Sequence, residues 1–350
     1  MKKIKTAIII EVICICITSG LLWQQNASRA ASAAESKSEF IKWVDFNVSY
    51  EALCAAYQWD VDTYGTEHHV NWVELLSYLG AKNGGDFSGK SVKEIADVAE
   101  KLSAGEAVMS DLTKDLKYYN YYLEAYGAVL NGYLGEAELE TAPGSGVYES
   151  VYGLKAYLPI AKGFPYSDYD DFGVSRSYGY RRQHLGHDMM GQVGSPIIAV
   201  ESGYVEAIGW NQYGGWRLGI RSFDTKRYYY YAHLRQNYPY AEGLAEGSVV
   251  TAGDVIGYMG HTGYSSTENV NNINQVHLHF GIQLIFDESQ KEGNGEIWIN
   301  PYNLVRFLRN HQSEAVKVPD TKEWKRVQGM KDPQAEQRKK EQADKEENAQ

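Results

Sequence analysis

The sequence predicts an α+β protein: an N-terminal helical domain, then a domain built on a mostly antiparallel β-sheet. Three observations carry that expectation. From residue 39 to 138 apolar side chains recur at three- and four-residue spacing, as one face of a helix requires. From residue 157 the pattern changes to short β-type runs at 197–208, 216–223, 228–234, 249–259 and 276–286, punctuated by glycine and by Gly194-Ser-Pro196. Between them Thr141-Ala-Pro-Gly-Ser-Gly146 breaks both patterns, so residues 139–156 read as a linker.

In chain order, the first residues form a targeting segment. Lys2, Lys3 and Lys5 supply a positive start, residues 7–23 are mostly apolar, and Ala31-Ser-Ala33 offers the small residues a signal peptidase needs. Residues 1–33 therefore read either as a cleaved signal peptide or as a retained membrane anchor, with export in both cases. That makes the protein extracellular or part of the cell envelope. Glu11 interrupts the apolar run, and a carboxylate at mid-membrane costs roughly 2.5–3.5 kcal/mol. Cys14 and Cys16 belong to this segment, leaving Cys54 alone beyond it. No disulfide framework can then brace the rest of the chain, and packing or metal must do so.

In the helical domain, Phe40, Trp43, Val44 and Phe46 open an apolar face that Tyr50, Leu53 and Tyr57 continue. A second helix runs from Asn71 and stops at Gly80. A third covers 91–102, with Ser91 and Glu94 as a capping box, and the longest covers 112–134. No catalytic carboxylate stands out here, so the region reads as a positioning module, or one that binds an envelope protein partner. His68 and His69 read as surface residues. Residues 311–350 mix Lys, Arg, Glu, Asp and Gln with almost no large apolar groups, so they are expected to be disordered or a lone charged helix.

The formal net charge of −11 disfavours a phosphate-binding surface, and no phosphate loop is present, which sets nucleic acid aside as a partner. Function concentrates instead in Arg182-Gln-His-Leu-Gly-His-Asp188 and Gln275-Val-His-Leu-His-Phe-Gly281. His184, Asp188, His277 and His279 are imidazoles and a carboxylate, the ligand types zinc takes. The helical His-Glu-x-x-His metal motif is absent, and glycines around His184 argue for a loop entering a strand. His277 and His279 stand two apart. In a strand both imidazoles face one side while Val276, Leu278 and Phe280 face the core. One can ligate metal while the other stands beside an attacking water.

These two motifs, with their connecting sequences, resemble the LytM/lysostaphin-type zinc endopeptidases, peptidase family M23. Ser175-Arg-Ser-Tyr-Gly-Tyr-Arg181, the run from Gly194, Tyr231-Ala-His-Leu234 and the run from Val250 to Gly263 keep the family order. The similarity covers roughly residues 157–305, within a peptidase-like domain expected over 157–310. It implies one Zn2+ held by His184, Asp188 and His279, with His233 and His277 as catalytic histidines. It also implies a zinc metalloendopeptidase acting on peptidoglycan stem peptides or cross-bridges. Against this stands a non-enzymatic docking or activator protein of the envelope that uses the same fold. Two histidines depart from the pattern. His187 stands where an apolar residue is expected and reads as a neighbour of the ligands or a solvent-facing residue, and His261 reads as a turn residue.

Overall fold

The computed structural model describes residues 40–177 and 181–349. The targeting segment expected over residues 1–33 lies outside the described residues. Among the described residues no helix is long and apolar enough to cross a membrane.

The helical region opens later than the periodicity suggests. Residues 40–49 form no regular element, and α1 (Tyr50–Thr63) starts where Ser49 caps it, its side chain accepting from the Ala52 amide. Helix α2 (Trp72–Asn83) is capped by Asn71, which accepts from Val73 and Glu74. It does not stop at Gly80. Gly80 is a packing notch, because a Cβ there would lie 2.8 Å from the Tyr122 ring. The helix ends at Gly84, in the left-handed conformation that glycine adopts without strain. The expected capping box is also absent from α3 (Ser91–Ser103), whose N-cap is Lys90 without a side-chain bond. Glu94 is drawn away by Lys82 and Asn83. The long helix expected over 112–134 is two, α4 (Met109–Thr113) and α5 (Tyr119–Leu130), separated by tight turns at Leu116 and Tyr119.

The stretch expected as a linker is a β-hairpin. Strands β1 (Leu134–Glu140) and β2 (Tyr148–Leu154) pair antiparallel along their whole length, and the Pro-Gly-Ser-Gly run is their connection. Two short strands, β3 (Ser175–Ser177) and β4 (Arg181–Gln183), precede β5 (His187–Met190) and β6 (Pro196–Ile198). The principal sheet then forms from β7 (Gly203–Asn211), β8 (Gly215–Ser222) and β9 (Arg227–Ala232), with β10 (Val249–Val250) on its edge. β11 (Val255–Tyr258) pairs with β6, and β12 (His277–Leu284) closes onto β9. The other edge of β12 is shared by β5 and by β13 (Ile297–Ile299), and α6 (Tyr302–Leu308) follows. All these pairings are antiparallel, as the runs of sequence predicted. The α+β class holds.

The charged C-terminal segment is folded, against expectation. After α6 come β14 (Ala315–Lys317), β15 (Trp324–Arg326) and β16 (Met330–Lys331), and β16 adds to β1. The few apolar groups of this segment are well spent. Met330 joins a buried cluster with Ala137, Tyr157, Ile198 and Ala252, and Ala315 packs against its edge. Trp324 sits edge-on to Phe164, with ring centroids 5.1 Å apart. Helix α7 (Pro333–Ala349) is strongly charged, but Ala335 at its start is buried. Scarce apolar residues suffice because Met330, Ala315 and Trp324 are placed against a core that already exists.

The helical region and the sheet meet at a fully buried guanidinium. Arg227 donates to both Glu201 oxygens at 2.7 and 2.9 Å, and to the Ala128 carbonyl of α5 at 2.7 Å. The Tyr229 hydroxyl donates to Glu201 at 2.5 Å. Gly132 makes the approach possible, since a Cβ there would fall 1.6 Å from a Glu201 oxygen. Breaking one member of such a pair strands the other in a low dielectric. Arg227→Ala is therefore expected to lose about 3–5 kcal/mol of stability, read as a lower urea midpoint. A loss under about 1 kcal/mol would show that water reaches Glu201 freely.

Candidate metal centre

The centre sits where β5, β12 and the loop before β5 converge. Asp188 on β5 stands directly opposite His279 on β12, a pairing that brings Cβ atoms within roughly 4.5–5.5 Å on one face. His184 arrives from the loop, tied to residues 173–174 by the bonds Gly173 N–His184 O (2.7 Å) and His184 N–Val174 O (3.0 Å). Gly186 lets that loop close down, because a Cβ there would lie 2.6 Å from the His279 ring.

Three ligand atoms meet as a result. His184 Nε2, His279 Nδ1 and Asp188 Oδ1 form a triangle with edges of 2.9, 3.0 and 3.0 Å. All are buried or nearly so, and they form the described cluster of three that could hold a metal ion. The fit to zinc follows from chemistry. His184 Nδ1 donates to the Asp171 carbonyl at 3.0 Å, so Nε2 presents a lone pair to the centre, as a ligating imidazole must. Lone pairs on two imidazoles and a carboxylate this close repel unless a cation or a proton lies between them. Tetrahedral ligands about 2.0–2.1 Å from zinc stand about 3.3 Å apart, a small expansion of this triangle.

A second layer, invisible in the sequence reading, orients the first. Asp171 is fully buried and lies 3.2 Å from His184 Nδ1 through its carboxylate. Arg176 donates to Asp171 at 2.7 Å and to Asp188 Oδ2 at 3.2 Å, leaving Asp188 Oδ1 to face the centre. Burial works against charge on Asp171 and Asp188. Hydrogen bonds from His184 and His187 to the first, and from His184 and His279 to the second, outweigh it and hold both well below the usual carboxylate range. Burial also disfavours charge on His184, but its bonds to Asp171 and Asp188 raise its pKa to about 9. In other words the pocket draws positive charge to His184 Nε2, and a metal ion would satisfy the same demand.

His187 is not solvent-facing. It is fully buried on the opposite face of β5, with Nε2 at 2.9 Å from Asp168. His261 lies in the irregular stretch after β11, its Nδ1 donating to the Ile273 carbonyl at 2.7 Å. His68 and His69 are exposed, as expected, and His69 also bonds the buried carboxylate of Asp60 at 2.9 Å. A separate signal for Asp171 existed in the acidic stretch Asp168-Tyr-Asp-Asp171, but nothing in its spacing pointed at His184.

His277 and His233 flank the triangle. His277 Nδ1 donates to the Gln275 carbonyl at 2.8 Å and its Nε2 lies 3.7 Å from Asp188 Oδ1. His233 follows β9 with φ +63°, a left-handed conformation uncommon outside glycine. It is held by its amide to Gly214 O and by Nδ1 to Thr262 O at 2.9 Å. Burial, then the neighbouring His277 and His279, push its pKa well below the ordinary histidine value. With Nδ1 carrying the proton, His233 Nε2 is a free acceptor. The rings of His233 and His277 are 4.7 Å apart, and both line a groove of about 1170 Å³ that runs on across the sheet to Trp298. Among the described residues, none of the helical region and none after residue 300 lines it.

Residues 182–293 match peptidase family M23. The chain carries an M23 peptidase domain. Among curated proteins it is similar to the L-Ala–D-Glu endopeptidase of Bacillus subtilis, 33% identical over 160 residues, which are 46% of this chain and 45% of that protein. It is also similar to lysostaphin of Staphylococcus simulans, 32% identical over 120 residues, 34% of this chain and 20% of that one. The chain thus spans less than half the length of the curated relatives it matches. A crystal structure of LytM from Ruminococcus gnavus superimposes with TM-score 0.53 at 27% identity, covering 81% of this chain and 95% of that one. That share exceeds what residues 157–310 could supply, so the likeness extends beyond the peptidase domain.

Ligands and supporting groups should separate on substitution. His279→Ala is expected to abolish zinc binding in a chelator competition assay. Asp171→Asn should weaken it about 10–100-fold with secondary structure intact by circular dichroism. Wild-type zinc stoichiometry in His279→Ala would overturn the triangle as the ligand set.

Proposed function

We propose that this protein is a zinc metalloendopeptidase that hydrolyses peptide cross-links or stem peptides of bacterial peptidoglycan. The observation that carries the reading is the convergence of His184, Asp188 and His279 at one end of an open groove, with His233 and His277 beside them. His184 Nε2, Asp188 Oδ1 and His279 Nδ1 would hold the ion. When bound there, zinc supplies Lewis acidity that brings the pKa of a water near 7.

The chain's own groups divide the remaining work. His233, kept neutral by burial and fixed in tautomer by Thr262, accepts a proton at Nε2 from the attacking water. His277 has its Nδ1 committed to Gln275 O, which aims Nε2 at the centre, and in its imidazolium form that Nε2 donates to the oxygen on which negative charge develops. Either imidazole can pass a proton on to the departing amine, and no serine or cysteine nucleophile is needed. Cys54 lies away from the groove on α1, where burial raises its thiol pKa, so it is inert. Gly281 leaves room for the Trp298 ring and Gly219 for the Tyr228 hydroxyl, and both of these aromatic side chains line the groove. The names of two curated relatives attach an L-Ala–D-Glu bond and a glycyl-glycine bond to such domains, and either bond type fits an acyl transfer to water here.

The test is release of new amino groups from purified peptidoglycan by the zinc-loaded protein. The wild type should release them, and His277→Ala should keep its zinc but fall about 10²–10⁴-fold in rate. Equal silence from both, with zinc bound, would favour a docking protein that keeps metal for structure.

A further inference from the structure

Almost every cation that lines the groove is already engaged. Arg176 is paired with Asp171 and Asp188, and Lys291 at the far end is paired with Glu206. Arg182 lies over the Tyr264 ring and bonds its hydroxyl. Arg217 is different. It is half-buried on β8 and lines the groove, yet its guanidinium has no hydrogen-bond or ion-pair partner among the described residues. The phenols of Tyr228 and Tyr230 on β9 and of Tyr240 lie close enough to feel its charge. Its backbone is fixed, the Tyr240 hydroxyl donating to the Arg217 carbonyl at 2.8 Å.

A guanidinium withdrawn from water without a partner is costly, and its planar fork matches a carboxylate bidentately. The long-range field does not explain its presence, since a chain of net charge −11 repels anions at a distance. The position is informative too. Leu218 pairs with Tyr231, and Ala232 pairs with His279, so Arg217 stands about two strands across from the metal centre. Two strand spacings are roughly 10 Å, most of which an arginine side chain can span. Its fork can therefore reach a group on the residue adjoining the bond to be cut.

We propose that Arg217 is the specificity residue of this groove: it takes a free carboxylate borne by the residue next to the scissile bond. The substrate is then an anionic stem-type peptide, not a neutral oligoglycine bridge. This rests on the endopeptidase reading above, and the experiment separates the two.

The probes are two fluorescently labelled peptides, L-Ala-γ-D-Glu-L-Lys with the glutamyl α-carboxyl free or converted to the amide. Anisotropy titration and kcat/KM are measured side by side on the full chain. The wild type should favour the free carboxylate about 10–100-fold, the range of a charged hydrogen-bonded contact. Arg217→Gln should remove that preference by weakening the acidic peptide alone, with zinc content and melting temperature unchanged, and Arg217→Lys should restore part of it. Equal handling of both peptides by the wild type, or an unchanged ratio in Arg217→Gln, overturns the inference while hydrolysis leaves the endopeptidase reading standing. Arg217-dependent preference in binding without cleavage supports the inference and removes the reaction. Binding and cleavage of neither peptide overturn both.

Discussion

The register of one strand governs this molecule. β12 is paired on both edges, to β9 along one side and to β5 and β13 along the other. That double pairing sends His277 and His279 to the groove and buries Leu278 and Phe280 almost completely in the core. A slip of one residue would exchange the two sets, putting imidazoles into hydrocarbon and apolar rings into the groove. The packing energy of Leu278, Phe280 and Ile282 thus holds the ligand geometry as firmly as any hydrogen bond around the metal. Core and centre are two faces of the same alternation.

Charge around that strand is arranged by partnership. Near the centre, Asp171 and Asp188 bring two buried negative charges and Arg176 brings one positive. The excess is negative and faces the imidazoles, which is why His184 draws a proton when no ion is there. At the junction of helices and sheet, Arg227 is balanced by Glu201 and also reaches Asp224. Such buried pairs contribute little net stability compared with well-packed apolar groups, but each fixes a position. Here they fix the loop carrying His184 and the seating of α5.

How much of this could be read from the residues follows from how local each signal is. The strands and the five principal side chains were legible because a period of two and a short motif are local properties. The ends of helices were less so: Gly80 looked like a stop until Tyr122 and Tyr126 came to lie across it, and Glu94 looked like a cap until Lys82 claimed it. The stretch over 139–156 looked like a link because Pro-Gly-Ser-Gly marks a turn equally well in a hairpin. Asp171 and Arg176 were missed because their meaning lies in contacts with His184 and Asp188. The C-terminal segment was misread for a related reason. Composition counts apolar residues, whereas Met330 and Trp324 matter through what they cover.

That last segment bears on how the chain reaches its folded state. β16 completes a sheet begun by β1, and Met330 fills a core cluster with Ala137 and Ile198. Pairings between such distant parts of a chain form late, after most loop entropy has been given up. Until residue 330 is available, the outer edge of β1 at Glu138 and Leu139 is unpaired and the core cluster beside it lacks Met330. Such an edge recruits whatever strand it meets first. A copy clipped behind α6 would keep every metal ligand and every groove residue, and yet would be the form most prone to aggregate.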